Sequence, residues 1–325
     1  MLPEPPSSKK RRFRGLNDQI ILEANLPDIA IAPIVSSDQQ RNWRHLFSSR
    51  GWLICMTHIG YNIALVLSKV VINPPPLPIT VARLEHDGGK TVVDPSFFFH
   101  IFLYQTNSFK FALSDNPLTN SDYTLAAVMP HSRDVVLWSR DKEWTAIGCK
   151  IIRWSSNIAF YKGDLYAVGI WGKVVTFGKP WESHLSTRKV VANLKIRGIP
   201  PLGSMYLVEL DNILFVIRRR ILLDKRDGKY KTWNFVVWEV NVESTETKQT
   251  KNLRDKAVFL GHNSSFSIKA KGCKPNCIYY TDKTNVGVFD LRSGHNIEDL
   301  YVGNSSLGSC RSHLWVESSL DNSGY

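Results

Sequence analysis

Two cysteines and a histidine are the residues whose types and spacing come nearest to a metal site. Cys273 and Cys277 are separated by three residues, and His262 lies upstream. Thiolate and imidazole groups are ligands that zinc prefers, but a structural zinc site takes four of them and no second cysteine pair accompanies these residues. The strand-like sequence around Cys277 favours an inward-facing core cysteine. We therefore expect no metal and no other cofactor.

Sequence motifs of the common hydrolases and phosphate-binding enzymes are absent. The chain has no Gly-x-Ser-x-Gly, no His-Glu-x-x-His and no Gly-x-x-x-x-Gly-Lys-Ser/Thr. Enzymes can also assemble their sites from scattered loops, so an enzyme stays open as an alternative. The expectation from the motifs is nevertheless a non-catalytic protein with no catalytic residues.

A basic run and one tryptophan are the candidates for contacting a partner. Arg218, Arg219 and Arg220 are consecutive and could bind phosphate or an acidic protein. The same run could instead be a solvated hairpin that keeps an edge strand from pairing with other chains. Trp171 lies between two glycines and is the best candidate for an exposed aromatic anchor.

The formal net charge of +12 leaves nucleic-acid binding as an alternative function. Part of this charge lies in residues 1–15, which are rich in proline and are predicted to be a disordered tail. Five residues of the tail form a candidate nuclear-import signal: Lys9, Lys10, Arg11, Arg12 and Arg14. A nuclear or cytoplasmic location is therefore expected. The rest of the chain is only mildly basic, so nucleic acid is not the expected partner.

The lengths of the hydrophobic segments and the number of cysteines indicate the environment in which the protein is expected to work. The longest apolar runs, 63–67 and 97–104, are far shorter than the roughly 18 residues of a membrane helix. The five cysteines are scattered and odd in number, as in proteins of a reducing compartment. We therefore expect a soluble protein without a membrane partner.

Short runs of β-branched and aromatic residues, closed by Asp, Asn or Gly, predict strands along most of the chain. Asp211-Asn212 stands where a tight hairpin needs positive φ. Hairpins starting at Phe160, Tyr206 and Ile278 recur at intervals that suit propeller blades if the second interval holds an insertion. The predicted fold is all-β, a β-propeller of about six four-stranded blades with little helix.

Organisation along the chain is predicted as follows. The tail of residues 1–15 precedes a partly helical lead-in at 16–47, with short helices at 18–24 and 38–46. The propeller occupies 48–316, and 317–325 form a C-terminal tail. Four tryptophans at strand positions are predicted to be core residues: Trp52, Trp144, Trp233 and Trp238.

Eight segments of the sequence resemble, in order, the plant F-box-associated KIB-type β-propeller family, also called domain of unknown function 295. They are SSRGWLI (48–54), NP (73–74), NSDYTLAAV (120–128), WTAI (144–147), AFYKGDLYAV (159–168), YLVE (206–209), AVFLG (257–261) and GCKPNCIYYTD (272–282). The resemblance implies a propeller that holds a protein target in the ubiquitin pathway. In that family the propeller typically follows an F-box, a helical motif that docks a ubiquitin-ligase scaffold.

Residues 16–47 depart from the F-box pattern. Leu26-Pro27 and Trp43-Arg44 resemble the ends of the motif, but the interval between them is too short for its three helices. Pro27 and Pro33 also interrupt any helix there. We therefore expect this segment not to recruit the scaffold, and the chain to act as a protein-interaction module whose target is unknown.

Overall fold

The computed structural model describes residues 10–14, 20–25, 43–57, 62–67, 70–78, 109–128, 134–148, 155–179, 188–196, 204–225, 229–261, 265–270, 273–281 and 285–302. These residues form 23 β-strands and contain no helix. The predicted all-β class is confirmed. No helix among them could span a membrane.

The chain divides into two units, the first comprising residues 1–78 with 316–325. Its described part is a hairpin of β1 (Lys10–Arg14) and β2 (Ile20–Asn25) and an antiparallel sheet. The sheet contains β3 (Trp43–Ser49), β4 (Trp52–Thr57), β5 (Ile63–Leu67) and β6 (Val70–Ile72), in that order.

Two expectations for the N-terminal region differ from this structure. The short helices predicted at 18–24 and 38–46 are wrong in their described parts, because β2 occupies 20–24 and β3 occupies 43–46. The β-branched pair Ile20-Ile21 suits a strand, and pairing with β1 supplies backbone partners that a lone short helix lacks. Residues 10–14, assigned by sequence to a disordered tail, form β1 of this hairpin.

The second unit, residues 79–315, contains four sheets. The first is β7 (Lys110–Leu113), β8 (Thr124–Val128), β9 (Asp134–Ser139) and β10 (Thr145–Gly148). The second is β11 (Ser155–Tyr161), β12 (Asp164–Gly169), β13 (Lys173–Thr176) and β14 (Lys189–Asn193). The third is β15 (Met205–Leu210), β16 (Ile213–Asp224), β17 (Lys229–Val240) and β18 (Thr247–Thr250). The fourth is β19 (Lys256–Leu260), β20 (Ser265–Lys269), β21 (Cys277–Thr281), β22 (Asn285–Asp290) and β23 (His295–Val302).

The described residues thus form five sheets of four or five strands, not the six predicted. Two of these sheets take up more chain than a typical propeller blade does. In the third sheet, β16 and β17 are twelve residues each. The fourth sheet has an extra strand: β19 pairs antiparallel with β20 on one side and parallel with β21 on the other.

Several strands, such as β12, are buried on both faces, which explains their near-continuous apolar sequences. Along β12, Leu165 and Ala167 join one core cluster with the first sheet, while Tyr166 and Val168 join another with the third. Successive strand residues point to opposite faces, so one strand serves two neighbouring cores. A further cluster, containing Ile217 of β16, lies between the third and fourth sheets.

Polar contacts also join the third and fourth sheets. The hydroxyls of Ser265 and Ser267 in β20 donate hydrogen bonds to the carbonyls of Leu207 and Glu209 in β15, at 3.2 and 2.6 Å. The β15–β16 turn has φ of 49° at Asp211 and 59° at Asn212, so the predicted hairpin turn is confirmed.

Candidate interaction surface

Two sequence-predicted sites lie at the same end of neighbouring sheets. Successive connections of an antiparallel meander alternate between its two ends. The β11–β12 and β15–β16 turns share one end, because the hydroxyl of Tyr161 donates a 2.6 Å hydrogen bond to the carbonyl of Asn212. The β12–β13 turn, which carries Trp171, and the β16–β17 connection are therefore both at the opposite end of their sheets.

Trp171 lies in a tight turn between β12 and β13. Its side chain is 50% exposed. The next residue, Gly172, has φ +79° and donates its N–H to the carbonyl of Gly169 at 2.9 Å. The carbonyl of Gly172 accepts the N–H of Leu194 at 3.0 Å, which anchors the turn to the segment after β14. The tryptophan is thus an exposed aromatic group on a fixed backbone.

The β16–β17 hairpin projects beyond the rest of the third sheet. β15 pairs with β16 only as far as Arg218, and β18 pairs with β17 only from Val237 onward. Residues 219–224 and 229–236 continue as a two-stranded antiparallel extension, which we call the arm. The sequence between Arg218 and Lys231 contains seven basic and two acidic residues, so the arm is strongly basic.

One face of the arm packs against the fourth sheet. Arg219 is only 6% exposed and lies on the side of the fourth sheet. Its Nε donates to the hydroxyl of Thr232 at 2.8 Å, and its Nη1 donates to the carbonyl of Thr281 in β21 at 2.9 Å. Its guanidinium also lies 5.0 Å from the ring centroid of Tyr280. Arg219 therefore joins the third sheet to the fourth and is not a solvated cation.

The opposite face of the arm presents apolar and basic side chains to solvent. Strand alternation places Arg220 and Leu222 on this face, and Leu222 is 50% exposed. Arg220 pairs with Asn234 and Ile221 with Thr232, so Trp233 is an extra bulge residue of β17. Trp233 is 50% exposed, and the Arg220 guanidinium lies 4.4 Å from its ring centroid.

Trp233 corrects one prediction from the sequence. It was expected in a blade core, and it is exposed because the bulge shifts the register at its position. Trp52 is fully buried, as predicted. Trp238 is partly buried against the core between the second and third sheets, and Trp144 packs 6.4 Å from Trp138. Sequence reasoning therefore missed Trp233 and Leu222 as surface groups.

Arg218 lies at the base of the exposed arm face. It is 8% exposed, and its Nε is buried without a hydrogen-bond acceptor. Burial, together with the neighbouring charge of Arg220, lowers the pKa of the Arg218 guanidinium from its ordinary value. The Arg218–Arg220 run is thus not one exposed basic patch: Arg218 and Arg219 are buried, and Arg220 is partly buried.

The cysteine pair belongs to a hydrophobic cluster. Cys277 is buried with Phe259 and Tyr279, and Cys273 packs against the same cluster. Among the described residues no group of His, Cys, Asp or Glu could hold a metal ion, and His262 lies outside them. Burial, followed by the effect of Asp290, raises the pKa of the Cys277 thiol to about 11. A raised pKa is the opposite of what a thiolate ligand needs.

The raised pKa of Cys277 predicts a specific pH dependence of stability. The thiol titrates at about 11 in the fold, against an ordinary value of 9.0. Its contribution to stability is therefore fully present below pH 9 and lost as the pH rises through 11. Urea unfolding at several pH values from 8 to 10.5 should show wild type losing stability relative to Cys277→Ala. Parallel curves for the two proteins would contradict the assignment.

The basic residues proposed as an import signal lie mostly within β1. The strand Lys10–Arg14 pairs with β2, and Lys9 lies outside the described residues. Lys10, Arg11 and Arg12 pair with Asn25, Ala24 and Glu23, respectively. The import function of this run stays a prediction.

Antiparallel four-stranded sheets that succeed one another along the chain define the protein class as a β-propeller. The KIB1-4 β-propeller family model matches residues 15–290. The chain belongs to this family, and the resemblance seen in the sequence is confirmed.

Relatives among curated sequences are plant proteins. F-box protein At4g35733 of Arabidopsis thaliana is 30% identical over 183 residues, covering 52% of this chain and 48% of that protein. F-box protein At2g17036 of the same plant is 25% identical over 205 residues, covering 54% and 48%. The chain thus spans about half the length of the curated relatives it matches. The β-propeller is related to plant F-box proteins.

Solved structures give a weaker likeness. A catalytically inactive virginiamycin B lyase from Staphylococcus aureus with quinupristin matches with a TM-score of 0.41 and 12% identity, covering 86% of this chain and 76% of that chain. The nidogen/laminin complex matches with a TM-score of 0.43 and 11% identity, covering 79% and 80%. Likeness at this level carries no functional inference.

Proposed function

We propose that this chain is a non-catalytic protein-interaction module that binds a target protein with the end of the second and third sheets. The observation that carries the proposal is the arm, whose outer face exposes Trp233 and Leu222 beside Arg220. Trp171 is exposed at the same end. Tryptophan and arginine are the residues that most often dominate binding energy in protein interfaces.

The arm suits recognition for a structural reason as well. Its inner face is fixed by the buried Arg219, so the outer face is presented on a supported β-hairpin. A rigid aromatic group loses little conformational entropy on binding. An interface built on this scaffold therefore needs little reorganisation.

The relationship to F-box proteins supports a place in the ubiquitin pathway, with this propeller holding the target. F-box protein is the description of the Arabidopsis relatives, of which the chain spans about half. Within residues 16–47 the described segments are strands, which is not how a helical docking motif is built. We propose that target binding resides in this chain, in the nucleus or cytoplasm, without scaffold docking by those residues.

Nucleic-acid binding is the second candidate function, favoured by the arginines and tryptophan of the arm and the net charge of +12. The two functions differ in their response to salt. Binding to phosphate backbones falls steeply between about 50 and 200 mM salt, because counterions are released. An interface with a large apolar share is much less sensitive to salt.

Double substitution Trp171→Ala/Trp233→Ala is expected to abolish target capture. Truncating anchors of this kind costs about 2 kcal/mol or more each, so the paired loss should exceed about 100-fold in affinity. The measurement is quantitative crosslinking and capture from plant extract with wild type and variant, followed by affinity measurement on the recovered target. Circular dichroism should show unchanged strand content.

The matched control is Leu118→Ala. Leu118 is 56% exposed, but it lies in the β7–β8 connection of the first sheet, which is not part of the proposed surface. It should leave capture unchanged. Equal capture by wild type and the double variant, or capture lost equally in the control, would contradict the proposed surface. Binding to random duplex DNA with a steep salt dependence would favour the second function.

A further inference from the structure

Arg218 is a buried cation that the described part of the protein leaves without a counterion. It is 8% exposed, and its Nε has no acceptor. No ion pair joins it to a described carboxylate. A buried donor without an acceptor is destabilising, so an acceptor supplied by a bound partner would stabilise this position.

A second arginine on the same face makes the local charge imbalance larger. Arg220 is two residues further along β16, so its Cβ lies about 6.6 Å from that of Arg218. Burial first, and the neighbouring charge of Arg220 second, lower the pKa of the Arg218 guanidinium. Each guanidinium presents several N–H donors in one plane. Two neighbouring guanidinium groups without a carboxylate partner can together bind an anion that has two oxygens.

We propose that Arg218 and Arg220 form a subsite for an anionic side chain of the bound protein, a carboxylate or a phosphorylated hydroxyl. Trp233 and Leu222 border the subsite and take an adjacent apolar side chain of the same segment. The inference rests on the proposed function and adds the chemistry of the partner: an acidic segment that also carries an apolar residue.

A protein segment fits this face better than a nucleic acid does. Leu222 offers an aliphatic contact, which a base or a phosphate does not need. The Arg220 guanidinium already covers one face of the Trp233 ring, at 4.4 Å, so only the other face could stack on a base. The apolar contact and the anion site together match an acidic–apolar peptide.

The first test is the response of thermal unfolding to inorganic phosphate, compared with chloride at constant ionic strength. Phosphate at about ten times its Kd should raise the unfolding midpoint of wild type by about 2–4 °C. Arg218→Met should lose this shift, whereas Arg254→Met should keep it. Arg254 is a suitable control because it is exposed, pairs with Asp211 and lies at the other end of the third sheet.

Stability in chloride alone gives an independent readout. Arg218→Met should be at least as stable as wild type, since it removes an uncompensated buried charge. A lower midpoint for the variant would mean that the guanidinium already has an internal partner, and the proposal would be overturned. Equal phosphate shifts in wild type, Arg218→Met and Arg254→Met would overturn it as well.

The second test uses fluorescent peptides of alternating Glu and Leu, with matched versions in which Gln or phosphoserine replaces Glu. Wild type should bind the Glu or the phosphoserine version at least about tenfold more tightly than the Gln version. Whichever anion is preferred identifies the side chain. Arg218→Met should remove the preference and Arg254→Met should not. Tighter binding of a random duplex than of any peptide would overturn the proposal.

Failure of the subsite and failure of the proposed function are distinguishable. Target capture that depends on Trp171 and Trp233 but not on Arg218 leaves the interaction module intact and removes only the anion subsite. Capture that depends on none of these residues removes both. The phosphate response, measured without any target, concerns the subsite alone.

Discussion

Arg219→Ala is expected to lower the free energy of unfolding by about 3 kcal/mol. The guanidinium is 6% exposed and donates to Thr232 and to the carbonyl of Thr281, which is itself buried. Alanine leaves this carbonyl without that donor and opens a cavity between the third and fourth sheets. Each unsatisfied buried polar group costs about 1–3 kcal/mol, and the lost packing adds to it.

Urea unfolding followed by tryptophan fluorescence measures the effect of Arg219→Ala. The control Arg254→Ala removes an exposed arginine that pairs with Asp211 at 3.3 Å, and it should cost less than about 1 kcal/mol. A loss for Arg219→Ala no larger than that of the control would mean that the two sheets are held together without this side chain. The arm would then be less rigid than its contacts suggest.

Gly172→Ala is expected to destabilise the protein by about 2–4 kcal/mol. Two causes act together at this position. The φ of +79° is strained for any residue with a Cβ. A Cβ would also lie 2.6 Å from Cδ1 of Ile196 and 2.9 Å from Cβ of Leu194. The Leu194 atom cannot swing away, so the backbone of the turn must move and Trp171 with it.

Gly294→Ala separates the two causes. Gly294 has a similar φ of +76°, but a Cβ there would meet no atom within 4 Å. Its cost should be only the backbone strain, about 1 kcal/mol. Chemical denaturation of both variants measures the difference. Equal losses of unfolding free energy in the two variants would show that the structure relaxes around the new contact with Leu194 and Ile196. The Trp171 turn would then be less rigid than its contacts indicate.

Local patterns in the sequence were sufficient to predict much of the fold. The strands and their turns follow from short-range chemistry, as at Asp211-Asn212, where the residue types match the positive φ values. Strand residues such as Leu165 and Tyr166 are both apolar because each faces a different core. The sheet count was missed, because no local signal reports how far β16 and β17 extend beyond their neighbours.

The candidate surface was only partly predictable for the same reason. Trp171 was identified from its position between Gly169 and Gly172, which is a local signal. Trp233 was assigned to a core, since the bulge that exposes it is defined by pairing with Arg220 and Ile221 across the hairpin. The burial of Arg218 and Arg219 depends on neighbouring sheets. A run of three arginines contains no information about which of them has a partner.

The parallel pairing of β19 with β21 has a consequence for how the fourth sheet assembles. Every other strand pair in the second unit's described sheets is antiparallel and joins consecutive strands. Such a pair can form its hydrogen bonds progressively, starting from the connecting turn. β19 and β21 meet only after the intervening chain has laid β20 on the far side of β19. Non-local closure of this kind is slow. The sheet that receives the Nη1 hydrogen bond of Arg219 is therefore expected to be the last to form, and the arm to be the last surface to mature on a newly made chain.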